Sequence, residues 1–413
     1  MRFILAGTLA IALSAVSSTL FGQEWARFRG PNGAGQSDAT TIPVTWGSDG
    51  YLWKVEVPGK GNSSPVLWGD RLFLTSADPD TGTQYILCYS ARDGRLLWHQ
   101  DYPATSHHLH QQNTFASSTP AADAKHVYCA WGGPEGAALL ALDHDGKEVW
   151  RFALGPFVSQ HGFGTSPIVY RDMVVLTNDQ DGESFLVAVD TNSGTVRWKV
   201  PREVLVEQNT SYSAPCVRRR EGKPDELIVV GRSHGVVGID PDDGSTKWEA
   251  KALPARTVGS PILADGLILA TSGSGAGTNT MVAIEPPDTP NAEPKVRYQI
   301  DGSSAPYVPT MIAAGPLVFL WNDRGVVSCI EGATGKVHWR ERVGGNYFSS
   351  PIRVADRIYG VDQNGDVVVL AAAPEFELLG RSSLGETSRA TPAVAGGRMY
   401  LRTESHLFAV GQR

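Results

Sequence analysis

The chain has 413 residues, a formal net charge of −7 and 41% hydrophobic residues. Mild acidity is the wrong sign for a nucleic-acid binder, and aromatic and basic residues do not interleave as single-strand binding requires. Gly 45 and Pro 26 are high for a helical protein and normal for an all-β one, and large β folds reach this length as one domain.

In chain order, residues 1–23 read as a secretory signal peptide. Arg2 gives a positive start, Phe3 to Val16 is apolar, and small and polar residues follow before Glu24. The apolar run is short for a spanning helix. No cysteine lies near its end, so lipid attachment there is excluded. The mature chain is expected in the periplasm or the medium, with no later transmembrane segment and not as a lipoprotein. Residues 24–45 form an N-terminal extension, and residues 46–413 the main domain.

That domain repeats. Ser/Thr-Pro before a hydrophobic strand occurs at Ser64-Pro65, Thr119-Pro120, Ser166-Pro167, Ser260-Pro261, Ser350-Pro351 and Thr391-Pro392. Weaker copies are Ala214-Pro215 and Pro309-Thr310. A turn with glycine four positions before tryptophan follows in five repeats: Gly94/Trp98, Gly146/Trp150, Gly194/Trp198, Gly244/Trp248 and Gly335/Trp339. Glycine supplies a positive φ, an acidic residue caps the turn, and the tryptophan buries a large area against the next repeat. Each repeat predicts four antiparallel strands, which together predict an eight-bladed β-propeller. The last repeat has room for three strands, and residues 46–57, with Trp53, are expected to complete it and remove an open edge. Seven blades is the alternative, because repeats five and seven are degenerate: Tyr298 replaces the tryptophan in one, and Leu379 lies near its place in the other.

Cys88, Cys129, Cys216 and Cys329 are widely spaced and form no CxxC. Export permits disulfides, but buried free thiols are the expected reading.

The AxDxxxGxxxW element with Ser/Thr-Pro starts resembles the pyrroloquinoline quinone (PQQ) propeller repeat, over roughly residues 46–413. The opening WARFRGPNGAGQSD, residues 25–38, is similar to the start of exported PQQ-like propellers of unassigned role. The resemblance extends to quinoprotein alcohol dehydrogenases and to the propeller lipoprotein of the outer-membrane barrel-assembly machine. For the dehydrogenases it implies PQQ held between a tryptophan and two adjacent cysteines, with Ca²⁺ on Glu, Asn and Asp side chains. This chain has no Cys-Cys pair, no alignable Glu, Asn and Asp set, and no CxxCH for a haem.

In a propeller, the loops between blades and those joining second and third strands open on one face. Residues 101–114 form the first such connection, with His107, His108, His110 and Asn113. Equivalent loops bring His161, Tyr212, Arg256, Tyr307, Asn346 and Arg389. These ten residues are the expected ligand- or partner-binding face. Imidazole ligates Zn²⁺ or Cu²⁺, and His108 and His110 share one side of an extended segment, so His108, His110 and His161 are the candidate metal ligands. The competing reading is a solvated loop.

GSGAGTN, residues 273–279, lies between strands and reads as a hairpin connection. DPDTG and DQDG read as turns. No GxSxG, HExxH, P-loop or dinucleotide fingerprint is present. The expectation is a monomeric, exported, non-catalytic propeller that binds a protein partner or small ligand in the cell envelope, with no established cofactor. The alternatives are a PQQ- and calcium-dependent oxidoreductase acting on alcohols or sugars, and a scaffold in outer-membrane protein assembly.

Overall fold

The computed structural model describes residues 24–275, 277–289 and 292–412. The segment read as a signal peptide, residues 1–23, lies outside them. Eight sheets, each of consecutive strands running from the axis outward, occupy residues 66–102, 121–155, 168–201, 216–250, 262–301, 312–342, 352–383 and 393–411. They are blades one to eight. Trp53–Glu56 supplies the fourth strand of blade eight, pairing antiparallel with residues 406–409. The eight-bladed, closed expectation holds, and seven blades are excluded.

The core lies between blades. Each apolar cluster joins the facing sides of neighbouring sheets; one joins Tyr128 and Leu139 of blade two with Val174 and Val187 of blade three. The turn glycine and the tryptophan build this contact across blades. Trp150 of blade two lies over Gly194 of blade three and donates its indole N–H to the Thr191 carbonyl at 2.9 Å. Trp53, Trp98 and Trp198 repeat the arrangement on Gly94, Gly146 and Gly244. Tyr298 takes over in blade five, covering Gly335 and donating to the Gly332 carbonyl at 2.6 Å. In blade seven the equivalent position is Gly380, one residue after Leu379. It pairs with Val369 and is covered by Val44 and Thr45 of the extension.

The residue opposite each ring is small: Ala141, Ala188, Gly238, Ala283, and in two blades Cys88 and Cys329. This explains two of the four cysteines. All four are buried and free, and burial pushes the Cys88 thiol up to about 12.

The Ser/Thr-Pro motif closes the inner ring. The backbone N–H of Ser64 donates to Thr119 Oγ1, that of Thr119 to Ser166 Oγ, that of Ala214 to Ser260 Oγ and that of Ser260 to Thr310 Oγ1. The ring continues from Thr310 to Ser350, from Ser350 to Thr391 and from Thr391 back to Ser64. Proline follows most of these residues and cannot donate, so the preceding amide carries the link.

The extension is a plug across the axis. Its carbonyls at Trp25, Ala26, Gly35 and Ser37 accept amides of Leu67, Ala122, Arg353 and Ala355, on the inner strands or inner turns of blades one, two and seven. Asn32 bonds Val217 of blade four through both its amide nitrogen and its oxygen. Arg29 is fully buried and donates to the carbonyls of Gly33, Ala34, Thr310, Met311 and Pro351. Burial pulls its guanidinium down to about 9, so it stays charged at neutral pH and donates to five backbone carbonyls.

Candidate functional site

On the opposite face, the ring of inner-strand starts opens into a cavity of ≈ 710 Å³, with Phe28 of the plug among its lining residues. The inter-blade loops and the loops between second and third strands line it, as the sequence reading placed them. The residue two before each motif position lines it in every blade: Asn62, Ser117, Gly164, Tyr212, Val258, Val308, Phe348 and Arg389.

Of the ten expected face residues, His110, Asn113, His161, Tyr212, Arg256, Tyr307, Asn346 and Arg389 line the cavity. His107 and His108 do not. The His107 ring stands edge-on to Phe115 at 5.0 Å and its Nδ1 lies 3.2 Å from the Thr105 carbonyl, while His108 points to solvent. His108 and His110 do not share one side as the extended reading expects; residues 110–113 turn, with Asn113 N–H donating to the His110 carbonyl at 2.8 Å. Leu109 packs on Gly162, and Asn113 Nδ2 donates to the His161 and Phe163 carbonyls, which fixes the loop to the next one.

The turn brings His110 over His161, ring centres 4.5 Å apart. His161 Nε2 accepts from Arg256 Nη1 at 3.1 Å. Burial, then the Arg256 charge and His110, hold the His161 imidazole down at about 4, so it is neutral at physiological pH. Its one acceptor lone pair is taken by the Arg256 guanidinium, which is unsuited to a metal. Among the described residues no three His, Cys, Asp or Glu side chains converge on one point, and the expected set of His108, His110 and His161 is not assembled.

Four arginines line the cavity: Arg232, Arg256, Arg324 and Arg389. One carboxylate does, Asp323, and it accepts the amides of Tyr307 and Val308 at 2.8 and 2.9 Å. Burial pushes the Asp323 carboxyl up despite those bonds. Other acidic candidates are engaged elsewhere: Asp179 forms a buried ion pair with Arg202 at 2.6 Å, and Asp181 accepts from Thr210. His406 is held by Glu386 and Ser405.

A calcium-bound quinone does not fit these residues. Among the described lining residues there is no tryptophan to cover the ring system, and the lone carboxylate is occupied by backbone amides. A hard cation needs several oxygen ligands converging in one place.

The sequence reading missed Phe28, Asn62, Gln112, Arg324, Phe348 and Gln363. The signal for two of them was the repeat itself. Along an extended segment, residues two apart face one way, so the position two before each Ser/Thr-Pro marks Asn62 and Phe348.

The family model described as the outer membrane protein assembly factor BamB matches residues 82–310 and 304–411. A polyvinylalcohol dehydrogenase of a Pseudomonas species is 29% identical over 188 residues, covering 42% of this chain and 27% of that protein. The chain thus spans about a quarter of that relative's length. Among solved structures, BamB from Moraxella catarrhalis superposes with a TM-score of 0.60 at 15% identity, covering 88% of this chain and 97% of that one. A quinohemoprotein alcohol dehydrogenase from Pseudomonas putida gives 0.64 at 13% identity, covering 94% and 80%. At such identities these likenesses show the fold alone.

Proposed function

This chain belongs to the β-propeller family described as the outer membrane protein assembly factor BamB, and from that premise we propose that it is an exported, monomeric, non-catalytic propeller that binds through the cavity on its loop-rich face. One observation carries the reading: the axis is a cup, plugged by the chain's own residues 24–38 and lined by the loops, with ≈ 710 Å³ inside. Ligand pockets fall at about 300–1,000 Å³ and are largely pre-formed with a few polar groups converging. The cup favours a small ligand, or one protruding group of a partner, over a threading chain. The quinoprotein alternative finds neither ring cover nor calcium ligands there.

The test is a melting screen of the mature protein against small-ligand classes, beside an Asn346→Trp variant that fills the mouth. Ligands of the cup raise the midpoint of the parent and leave the variant unmoved. Equal shifts in both proteins overturn the assignment of the site.

A role as an assembly scaffold is favoured by a different observation. The outer strands expose Val149, Val196, Val296 and Val337 at 42, 46, 51 and 50%, beside unpaired strand edges suited to strand addition. Co-purification with barrel-assembly proteins checks it, and that result must be lost when these four valines become lysine.

A further inference from the structure

We infer that the cup receives an acidic sugar, whose anionic group meets Arg389 and Arg256 and whose neutral part meets the imidazole and amide side. The inference rests on the binding reading above and adds the ligand's chemical class.

The chain is acidic overall, yet this cavity gathers four guanidinium groups against one carboxylate that backbone amides already occupy. Two of the four are committed in part. Arg232 donates to the carbonyls of Glu207 and Gln208, and Arg256 to His161 and Gln208. Arg389 differs. Like the exposed Arg324 it has no hydrogen-bond acceptor and no ion-pair partner among the described residues, but it is half-buried, its guanidinium 5.7 Å from the Phe348 ring centre and acted on only through space by Glu404. Its Nε is buried and unpaired, as is the Nε of Arg256. A partly desolvated cation without an acceptor is costly, and a planar anion matches its fork.

The arginines enter the mouth from blades four to eight, and Arg256 reaches across to His161. Arg256 enters between blades four and five, Arg324 from blade six and Arg389 between blades seven and eight. The arc at blades one to three holds His110, the neutral His161 and the amides of Asn62 and Asn113. The bond to Arg256 fixes the His161 tautomer and aims the guanidinium. A ligand with an anion at one end and hydroxyls at the other fits this division. Amides offer both donors and acceptors, as hydroxyls need, and Tyr212 and Tyr307 add rings with polar tips. A uronic acid and a sulfated sugar share this chemistry.

Isothermal titration of the mature chain with digalacturonate, a sulfated disaccharide, digalactose and triglutamate decides it. The expected result is one-to-one binding of digalacturonate or the sulfated sugar, weakened at least tenfold by Arg389→Gln, with digalactose at least tenfold weaker. Binding of the first alone assigns a carboxylate, and of the second alone a sulfate ester; both support the inference. Arg256→Gln is the second variant, should Arg389→Gln melt below the parent. Equal binding of digalactose, lost in Asn346→Trp, overturns the acidic group and leaves the cup as the site. Binding of triglutamate without either acidic sugar overturns the sugar in favour of an acidic protein segment. Failure of both acidic sugars overturns the inference, while the melting screen separately decides whether the cup binds at all.

Discussion

Thr391 donates its backbone N–H to the Ser64 hydroxyl at 3.0 Å, across 327 residues of chain. Its own Oγ1 accepts the Ser350 amide at 2.9 Å. Thr391→Val keeps the side-chain shape and removes the acceptor, leaving a buried N–H unpaired. The expected loss is about 1–3 kcal/mol. A urea titration should show a lower midpoint at unchanged slope. An unchanged midpoint would mean that the ring only accompanies closure and adds no stability.

The ring has a weak point at Ala214, which has no hydroxyl to take the Ser166 amide, although Ala214 itself donates to Ser260. Ala214→Ser supplies the eighth acceptor at the position where seven other repeats carry Ser or Thr before proline or at its equivalent. The expected gain is about 0.5–1.5 kcal/mol. A drop in the same titration would show that the buried site has no room for the oxygen.

The blade count was legible because Ser64-Pro65 and its copies, together with the Gly/Trp turns, recur where each sheet needs them. The role of the Ser/Thr hydroxyls was not, because a bond to the next blade joins residues 40 to 55 positions apart. The plug was hidden for a related reason. Residues 25–38 repeat nothing, and the buried Arg29 has no charge partner whose pattern might be read; its acceptors are carbonyls, which every residue carries. The face residues followed from topology, and eight of ten line the cup. His107 and His108 lie outside it, one against Phe115 and one exposed, and no spacing in the sequence signals either placement.

Gly194 sits at φ 69° beneath the Trp150 ring, and a Cβ there would lie 2.7 Å from it. Gly194→Ala combines left-handed strain of about 1–2 kcal/mol with overpacking of about 1–3 kcal/mol. The unfolding midpoint should fall clearly, and Trp150 fluorescence should shift as the indole leaves its carbonyl. Gly222 also has positive φ, with nothing within 4 Å of its Cβ direction. Gly222→Ala should therefore cost only the strain, and equal losses at both sites would refute the clamp.

Arg29→Met retains much of the side-chain volume but removes every donor to five carbonyls. Unpaired buried carbonyls cost about 1–3 kcal/mol each, so the loss should exceed about 3 kcal/mol or release the segment. Limited proteolysis distinguishes these outcomes: cleavage near residues 24–38 with blades intact marks an undocked plug. A variant as stable and protected as the parent would show that water replaces the lost donors.

His161 is neutral in the folded protein, with a pKa of about 4 against an ordinary value of 6.5. Between those values the unfolded chain holds the proton and the folded chain does not, so stability rises with pH through this window. Acidification from pH 6.5 should lower the melting midpoint, with this contribution levelling off below about pH 4. Arg256 and His110 oppose the charge, and Asp181 favours it. His161→Gln keeps an acceptor for Arg256 and cannot titrate, so its midpoint should vary less across this window. If parent and variant show the same slope, the proton uptake on unfolding belongs to other groups. The same pair also tests the cup: protonated His161 can no longer accept from Arg256, so acid should loosen that guanidinium in the parent and leave it held in His161→Gln.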